Sequence, residues 1–440
     1  MCAKINGNQF EIRGDKMAKE TKLYNIEEEE ERVILVAVEE DGTDADSFLN
    51  ELEELAKTAG AVTVGRVIQR REKRHPGHYI GKGKIEEVKM LINAVDATGI
   101  ICDDELSPAQ MRNLEEMLGT KVMDRTMLIL DIFAARALSN EGKIQVELAQ
   151  LKYRLTRLSG QGTSLSRLGG GIGTRGPGEK KLETDRRYIK DRISELEGEL
   201  KNIQTHRELL RNGRNKRGTI SVSLVGYTNA GKSTLLNRLT DAGVLAENKL
   251  FATLDTTTRS LKLPGGTEIL LTDTVGFIRK LPHHLIRAFR ATLEELKYAD
   301  ILLHVVDASN PDRQEQMNNV YDTLKELGCE NTPVITVYNK MDRDVELPLT
   351  IDFNARCEAR ISALDGKGVE AMLETIEKLI KSFKKSIKVC IPYSDGKTAS
   401  MVYGRCEVIS EEHTGNGILM ELYVDEEMEN RLSNYLVKFL

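Results

Sequence analysis

Short apolar runs alternate with amphipathic stretches through the first third of the chain. The runs rich in Val, Ile and Ala predict buried strands, and the stretches between them repeat apolar residues every three or four positions, which predicts helices. Strands are predicted at 33–38, 61–68, 98–102 and 121–123, and helices at 46–59, 84–95, 108–118 and 125–138. Because alternating strands and helices favour a parallel sheet, residues 33–138 are predicted to form an N-terminal α/β domain.

A different pattern occupies residues 139–217. Leu and Ile recur there at steps of four and three positions, the spacing of an apolar stripe along a long helix. The stripes are Ile144, Leu148, Leu151, Leu155 and Leu158, then Ile189, Ile193, Leu196, Leu200 and Ile203. The stretch between them, 160–178, contains eight glycines in nineteen residues. The pattern predicts an antiparallel helical hairpin with a mobile glycine-rich tip that holds neither helix nor strand.

Residues 218–384 return to the alternation of strands and helices and predict a second α/β domain, opened by a strand at 220–225. Beyond it, strands are predicted at 387–392, 406–410 and 418–424, with a hairpin turn at 415–417 and a closing helix at 426–436. Residues 385–440 are therefore predicted to form a small α+β domain, and the acid-rich residues 1–32 a flexible segment. The predicted fold class is multidomain α/β.

Composition indicates in which cellular compartment the protein is expected. Of 440 residues, 40% are apolar and 30% are charged, and no uncharged apolar stretch approaches the ~18–20 residues that cross a bilayer. The N-terminus lacks a basic-then-apolar signal pattern, and six dispersed cysteines fit reduced thiols. We therefore expect a cytoplasmic protein without stable membrane insertion.

The formal net charge of −6 is unevenly distributed. Residues 143–217 hold 18 Lys and Arg against 9 Asp and Glu, a local charge of +9, which leaves −15 for the rest. Such asymmetry predicts a segment that faces a polyanion. Two interpretations of the tip remain open, an inert surface loop and an RNA-contacting finger. In the second, the candidate contacts are Arg167, Arg175, Lys180 and Lys181.

The predicted strand at 220–225 runs directly into a phosphate-binding loop. Its residues are Gly226, Tyr227, Thr228, Asn229, Ala230, Gly231, Lys232 and Ser233, and a helical stretch follows. This pattern turns backbone N–H groups inward onto phosphates, and the helix start adds partial positive charge. Lys232 is predicted to reach the β- and γ-phosphates, and the Ser233 hydroxyl to ligate Mg²⁺.

Three further motifs follow in order, each after a predicted strand. They are Asp273-Thr274-Val275-Gly276, Asn339-Lys340-Met341-Asp342 and Ser362-Ala363-Leu364. Asp273 is predicted to hold magnesium through water, and the Gly276 N–H to bind the γ-phosphate. A carboxylate at Asp342 matches the N1–H and N2–H₂ donors of guanine, which adenine lacks. The four motifs together predict a site for GTP and GDP.

The loop between the first two motifs is predicted to supply a second magnesium-ligating hydroxyl. Sequence alone leaves four candidates open: Thr253, Thr256, Thr257 and Thr258.

Two positions bear on hydrolysis. Phe277 follows Gly276, where Ras-like switches place a glutamine that orients the attacking water, so intrinsic turnover is expected to be slow. Asn229 is compatible with a K⁺ ion beside the phosphates and equally with an ordinary loop-stabilising amide.

Together, these motifs and several upstream stretches resemble the HflX family of translation-associated GTPases. The upstream stretches are Tyr79–Lys84, Asp124-Arg125-Thr126, Gln145–Leu151 and Gly176-Pro177-Gly178-Glu179, and the likeness covers roughly residues 33–384. The family's Phe251-Ala252-Thr253-Leu254-Asp255 motif is implied to bind GTP, and by position it implies that Thr253 joins Ser233 on magnesium. Lys232, Thr253 and Gly276 are then the implied catalytic residues. Thr156 and Thr256 depart from the family, which commonly has proline at both positions.

The resemblance implies that the protein binds the large ribosomal subunit, that ribosomes stimulate its GTPase activity, and that it splits stalled or idle ribosomes. A monomer when free and no DNA partner are expected. Two alternatives stay open: an RNA-binding or remodelling module, and a GTP-dependent ribosome-assembly factor.

Overall fold

We analysed a computed structural model, which describes residues 30–40, 44–165, 177–215, 219–240, 243, 250–251, 254–280, 293–343, 352–383, 385–424 and 426–437. The N-terminal unit is built on a four-stranded parallel sheet. Its strands are β1 (Arg32–Glu39), β2 (Val62–Arg70), β3 (Gly99–Cys102) and β4 (Lys121–Asp124), in the spatial order β2-β1-β3-β4. Its helices are α1 (Ala45–Thr58), α2 (Lys82–Val95), α3 (Pro108–Leu118) and α4 (Arg125–Arg136). Each predicted strand and helix of this unit is present to within a few residues.

Two long helices follow, α5 (Asn140–Leu165) and α6 (Pro177–Asn215). Their apolar stripes meet, because Ile144 and Leu148 of α5 are buried against Leu196 and Leu200 of α6. The predicted hairpin is thus present among the described residues.

The tip prediction was wrong at its two ends. Helix α5 continues through Gly160 and Gly162 to Leu165, and α6 already begins at Pro177. Extending an existing helix adds one hydrogen bond per residue, which offsets the penalty of about 1 kcal/mol for each glycine, and proline suits a first helical turn. Arg167 and Arg175 lie outside the described residues, and Lys180 and Lys181 lie in α6.

A six-stranded sheet carries the four nucleotide motifs. Its strands are β5 (Ile220–Gly226), β6 (Thr257–Lys262), β7 (Glu268–Asp273), β8 (Ile301–Asp307), β9 (Val334–Asn339) and β10 (Cys357–Arg360), in the order β10-β9-β8-β5-β7-β6. All pairs are parallel except that of the edge strand β6. Helices α7 (Lys232–Leu239), α8 (Arg313–Glu326) and α9 (Val369–Phe383) complete the unit. The carboxyl ends of parallel strands meet at one edge, so the motifs converge there. The predicted multidomain α/β class is confirmed.

The C-terminal unit has an antiparallel sheet of β11 (Lys385–Ile391), β12 (Glu407–Thr414) and β13 (Gly417–Val424), with α10 (Gly396–Arg405) and α11 (Glu426–Arg431). Helix α10 was not predicted, although Asp395 caps it by accepting a hydrogen bond from the Thr398 N–H. The single closing helix predicted at 426–436 was wrong, because α11 ends at Arg431 and a short 3₁₀ turn follows at Ser433–Tyr435.

The N-terminal and nucleotide-binding units share one hydrophobic cluster. It includes Leu35 and Phe133 from the first unit and Phe251, Val275 and Phe277 from the second. The nucleotide site is therefore packed directly against the N-terminal unit. Among the described residues, no helix is long and apolar enough to cross a membrane.

Candidate guanine-nucleotide site

The loop between β5 and α7 has the backbone of a phosphate cradle. Gly226 and Gly231 adopt φ values of 148° and 96°, which side chains rarely tolerate. A Cβ at Gly226 would collide with the carbonyl of Val305, and one at Gly231 with the amide of Asn339. Asn229 also lies in the left-handed region, at φ 60°. These conformations explain why this loop needs glycine at its two ends.

Lys232 is folded back onto the loop. Its Nζ donates to the carbonyls of Gly226, at 3.0 Å, and Tyr227, at 2.8 Å. Burial lowers the pKa of Lys232 to about 8, and the nearby Asp273 carboxylate opposes that shift. A polyanion bound in the loop would favour the charged form of this amine, and its contact with the phosphates stays a prediction.

Ser233 and Asp273 face each other across the site. The Ser233 hydroxyl donates to Asp273 Oδ2 at 2.8 Å, and Asp273 is fully buried at the end of β7. A hydroxyl and a carboxylate so placed are the oxygen donors that Mg²⁺ prefers. The residues present therefore fit a magnesium ion.

Gly276 lies against the phosphate cradle. A Cβ there would stand 2.8 Å from Thr228 Cγ2 and 3.0 Å from Lys232 Nζ. The next residue, Phe277, is 2% exposed, and its backbone exchanges hydrogen bonds with Gly226 and Thr228. The phenyl ring at the position of the Ras-like glutamine is thus part of the core. Thr274 and Val275 are buried too, and their predicted contacts with the nucleotide stay predictions.

Gly276→Ala is expected to lower GTP turnover by about 100-fold or more, comparable with the loss of one preorganised transition-state donor. The added methyl group must displace Thr228 or Lys232. GDP affinity should change little, because GDP has no γ-phosphate. Steady-state turnover and GDP titration of G276A check this. The matched control is Gly198→Ala, where a Cβ meets nothing within 4 Å. Normal turnover of G276A would contradict this placement.

The base-binding end is assembled from two strand ends. Asn339, 2% exposed, donates to the Ala230 carbonyl at 2.8 Å and accepts from the Ala363 N–H at 2.9 Å. Asp342 is exposed, and the hydroxyl of the buried Ser362 donates to it at 2.8 Å. This hydrogen bond lowers the pKa of Asp342. The carboxylate is thereby held ionised and oriented, as an acceptor for guanine requires.

The structure also describes the surroundings of the other residues that are predicted to contact the base. Lys340, at φ 65°, forms an ion pair with Asp307 at 2.7 Å, which fixes the stem expected to lie across the base. The Met341 N–H donates to the Ile361 carbonyl, Ala363 is buried and Leu364 is 70% exposed. Their contacts with guanine stay predictions.

The residues around the predicted switch threonine are only partly described. Phe251 and Leu254 are buried in the shared hydrophobic cluster, and the Asp255 carboxylate binds the start of helix α5. Ala252 and Thr253 lie outside the described residues, so the magnesium role of Thr253 remains a prediction.

The sequence analysis missed a buried charge cluster that joins the two units. Arg125, 2% exposed, pairs with Glu51 and, at 2.8 Å, with Asp103. Its guanidinium also donates to the Arg279 carbonyl at 3.0 Å, and Arg279 follows the Gly276 motif by three residues. Burial alone would lower the pKa of Arg125, but Glu51 and Asp103 raise it above its ordinary value.

The same cluster reaches the phosphate loop and the segment after Phe277. Tyr227 donates its hydroxyl hydrogen to Glu51 and accepts from the Arg279 N–H at 2.7 Å. Lys280 pairs with Asp103 at 2.6 Å and Asp104 at 2.8 Å. The only signal in the sequence was indirect, two acids directly after β3 and an arginine directly after β4.

Three parts of the chain match known protein families. Residues 46–134 match a family described as GTP-binding GTPase N-terminal, residues 136–214 its Middle Region, and residues 221–340 a 50S ribosome-binding GTPase. The chain is 58% identical to a "GTPase HflX" of Lacrimispora saccharolytica, over 93% of this chain and 97% of that one. It is 42% identical to the protein of that name from Escherichia coli, over 81% and 84%.

Among solved structures, a GTP-binding protein from the archaeon Sulfolobus solfataricus in complex with GDP is 25% identical. The match covers 79% of this chain and 98% of that chain, with a TM-score of 0.41.

Proposed function

The chain belongs to the HflX family of GTPases, and on that premise we propose that it binds the large ribosomal subunit and uses GTP to separate stalled or idle ribosomes into subunits. That it hydrolyses GTP follows from the family and from its GTPase domain. The main observation behind the proposal is that the four nucleotide motifs meet at one edge of the six-stranded sheet. The 50S ribosome-binding description of residues 221–340 and the +9 charge of residues 143–217 support the partner.

The proposed mechanism divides the work among the loops. Lys232 holds the β- and γ-phosphates, the Gly276 N–H binds the γ-phosphate, and Asp342 selects guanine. Ser233, Asp273 and Thr253 would hold Mg²⁺, which neutralises phosphate charge when bound. While the γ-phosphate is present, the loops at residues 253 and 276 are held in place. Hydrolysis and phosphate release free both loops, and the affinity for the ribosome falls with them.

The burial of Phe277 explains why the free protein should hydrolyse GTP slowly. Its side chain is packed in the core and has no hydrogen-bonding group, so the attacking water lacks the usual orienting amide. We propose that the ribosome completes the site and that K⁺ near Asn229 contributes charge beside the phosphates. Free protein should therefore turn over GTP slowly.

Replacing residues 166–176, which connect α5 to α6, by a short Gly-Ser linker tests the partner. Turnover without ribosomes should stay within about twofold, because the nucleotide loops are untouched. Stimulation by large ribosomal subunits should be lost and binding to them weakened, since the replaced segment carries the candidate RNA contacts Arg167 and Arg175. Comparable RNA affinity with GTP, with GDP and without nucleotide would instead favour a plain RNA-binding module. Recovery on precursor particles rather than mature subunits would favour an assembly factor.

A further inference from the structure

The start of helix α5 is fastened to the loop that precedes β6. Asp255 Oδ2 accepts hydrogen bonds from the N–H groups of Leu138, at 2.9 Å, and Ser139, at 2.8 Å, and Oδ1 accepts from the Ser139 hydroxyl. Ser139 Oγ in turn accepts from the Gly142 N–H at 2.9 Å, the bond of a helix N-cap. A side chain 116 residues away thus binds the N–H of the N-cap residue, which has no intrahelical partner, and the N–H of the residue before it.

A second contact anchors the other side of the same loop. The Phe251 ring meets the Phe133 ring edge-on, with centroids 4.7 Å apart, and is 2% exposed. Leu254 is 3% exposed in the same cluster. Helices α4 and α5 therefore hold the chain both before and after residues 252 and 253.

Gly142, in the first turn of α5, leaves the space that the Asp255 carboxylate occupies. A Cβ at this position would collide with Asp255 Oδ1. Glycine inside a helix is less favourable than alanine, so its presence in the first turn needs a reason. Room for the Asp255 carboxylate supplies that reason.

We propose that Asp255 is a positioning residue that couples the nucleotide site to helix α5. It follows the predicted magnesium-ligating Thr253 by two residues. Its anchor, Leu138 and Ser139, lies immediately before a 26-residue helix, about 39 Å long at 1.5 Å per residue. A change of the loop between its GTP and GDP states is thereby passed to the whole hairpin. By linkage, a partner bound to the far end of the hairpin changes the relative affinity for the two nucleotides. The direction of this coupling rests on the proposed GTP cycle.

The test separates coupling from simple helix capping, and it uses the full-length protein without ribosomes. In Asp255→Ala the tether is lost together with the hydrogen bonds to the Leu138 and Ser139 N–H groups, while the Ser139 hydroxyl still caps α5 through the Gly142 N–H. In Ser139→Asp combined with Asp255→Ala, an aspartate at the N-cap position restores a negative charge at the start of α5 while the tether stays broken. Gly142→Ala favours the helix but displaces the carboxylate. Gly198→Ala, a helical glycine of α6 with open space around it, is the control.

We expect D255A to lower the turnover number for GTP about tenfold, a typical size for coupling between sites. Binding of a non-hydrolysable GTP analogue should weaken by a similar factor, with GDP binding within about twofold, and amide exchange at 140–146 should rise. The S139D/D255A protein should regain the thermal midpoint but keep the low turnover, and G142A should resemble D255A in turnover only.

Restoration of turnover in S139D/D255A together with the thermal midpoint would reduce Asp255 to a helix cap and overturn the proposal. Wild-type turnover in both D255A and G142A would overturn it as well. Because ribosomes are absent throughout, a failure of ribosome stimulation leaves these outcomes unaffected.

Discussion

Asp342→Asn is expected to lower kcat/KM for GTP by about 100-fold or more and to create turnover of XTP. The wild-type carboxylate accepts two hydrogen bonds from guanine, and a site built for such donors discriminates strongly when the pairing fails. Xanthine carries an oxygen at C2 in place of the amino group. Asparagine accepts from N1–H and donates to that oxygen, whereas the wild-type carboxylate repels it. Ser362, which donates to Asp342, is positioned to orient either side chain.

The predicted change of preference from GTP to XTP is checked by measuring the turnover of both nucleotides by D342N and by the wild type. Asp365→Asn is the matched control, because Asp365 is exposed in the same loop and interacts with Ser362 only through its backbone N–H. D365N should keep wild-type preference. A D342N protein that still prefers GTP would refute the assignment of this carboxylate to the base.

Arg125→Met is expected to cost about 3–5 kcal/mol of stability, because it strips a buried carboxylate cluster of its central cation. Asp103 is 1% exposed and would keep only Lys280 as a charged partner. The lost bond to the Arg279 carbonyl should also lower GTP turnover, since that segment continues from Gly276. Urea unfolding followed by separate probes in the two units measures the effect without assuming a single transition.

The penalty should depend on pH. Burial raises the pKa of Asp103 while Arg125 and Lys280 lower it, so removal of Arg125 raises it further. A carboxyl whose pKa is raised on folding contributes stability at low pH and loses it as pH rises through the folded value. R125M should therefore lose less stability at pH 5.5 than at pH 8. Arg112→Met, on the exposed face of α3, should cost less than about 0.5 kcal/mol. An R125M penalty as small as that of R112M would contradict a structural role for the cluster.

Local patterns were sufficient for most of the fold. Strands β1 and β3 are continuous apolar runs that are buried on both faces of the sheet, whereas the stripes of α5 and α6 each bury one helix face. The errors fell where a local rule met a longer context. Glycines at 160 and 162 predicted a loop, but the helix already formed before them continues through both.

The nucleotide motifs were readable because each binding group lies within a few residues of a strand end. Lys232, Ser233, Asp273 and Asn339 come together at one edge, as their motifs predicted. Contacts between the N-terminal and nucleotide-binding units are not accompanied by a short sequence motif. The partners Asp255 and Ser139 lie 116 residues apart, and Arg125 lies 154 residues from Arg279. No short pattern encodes such pairs, which depend on how the units pack.

GTP turnover with and without purified large ribosomal subunits, in K⁺ and in Na⁺ buffer, tests the proposed function most directly. We expect stimulation of about 100-fold or more, because a partner must supply what the buried Phe277 lacks. Turnover should be faster in K⁺, with the difference removed in Asn229→Ala. Absence of stimulation in both salts would contradict the ribosome-dependent account and leave a GTPase whose basic hairpin serves another partner.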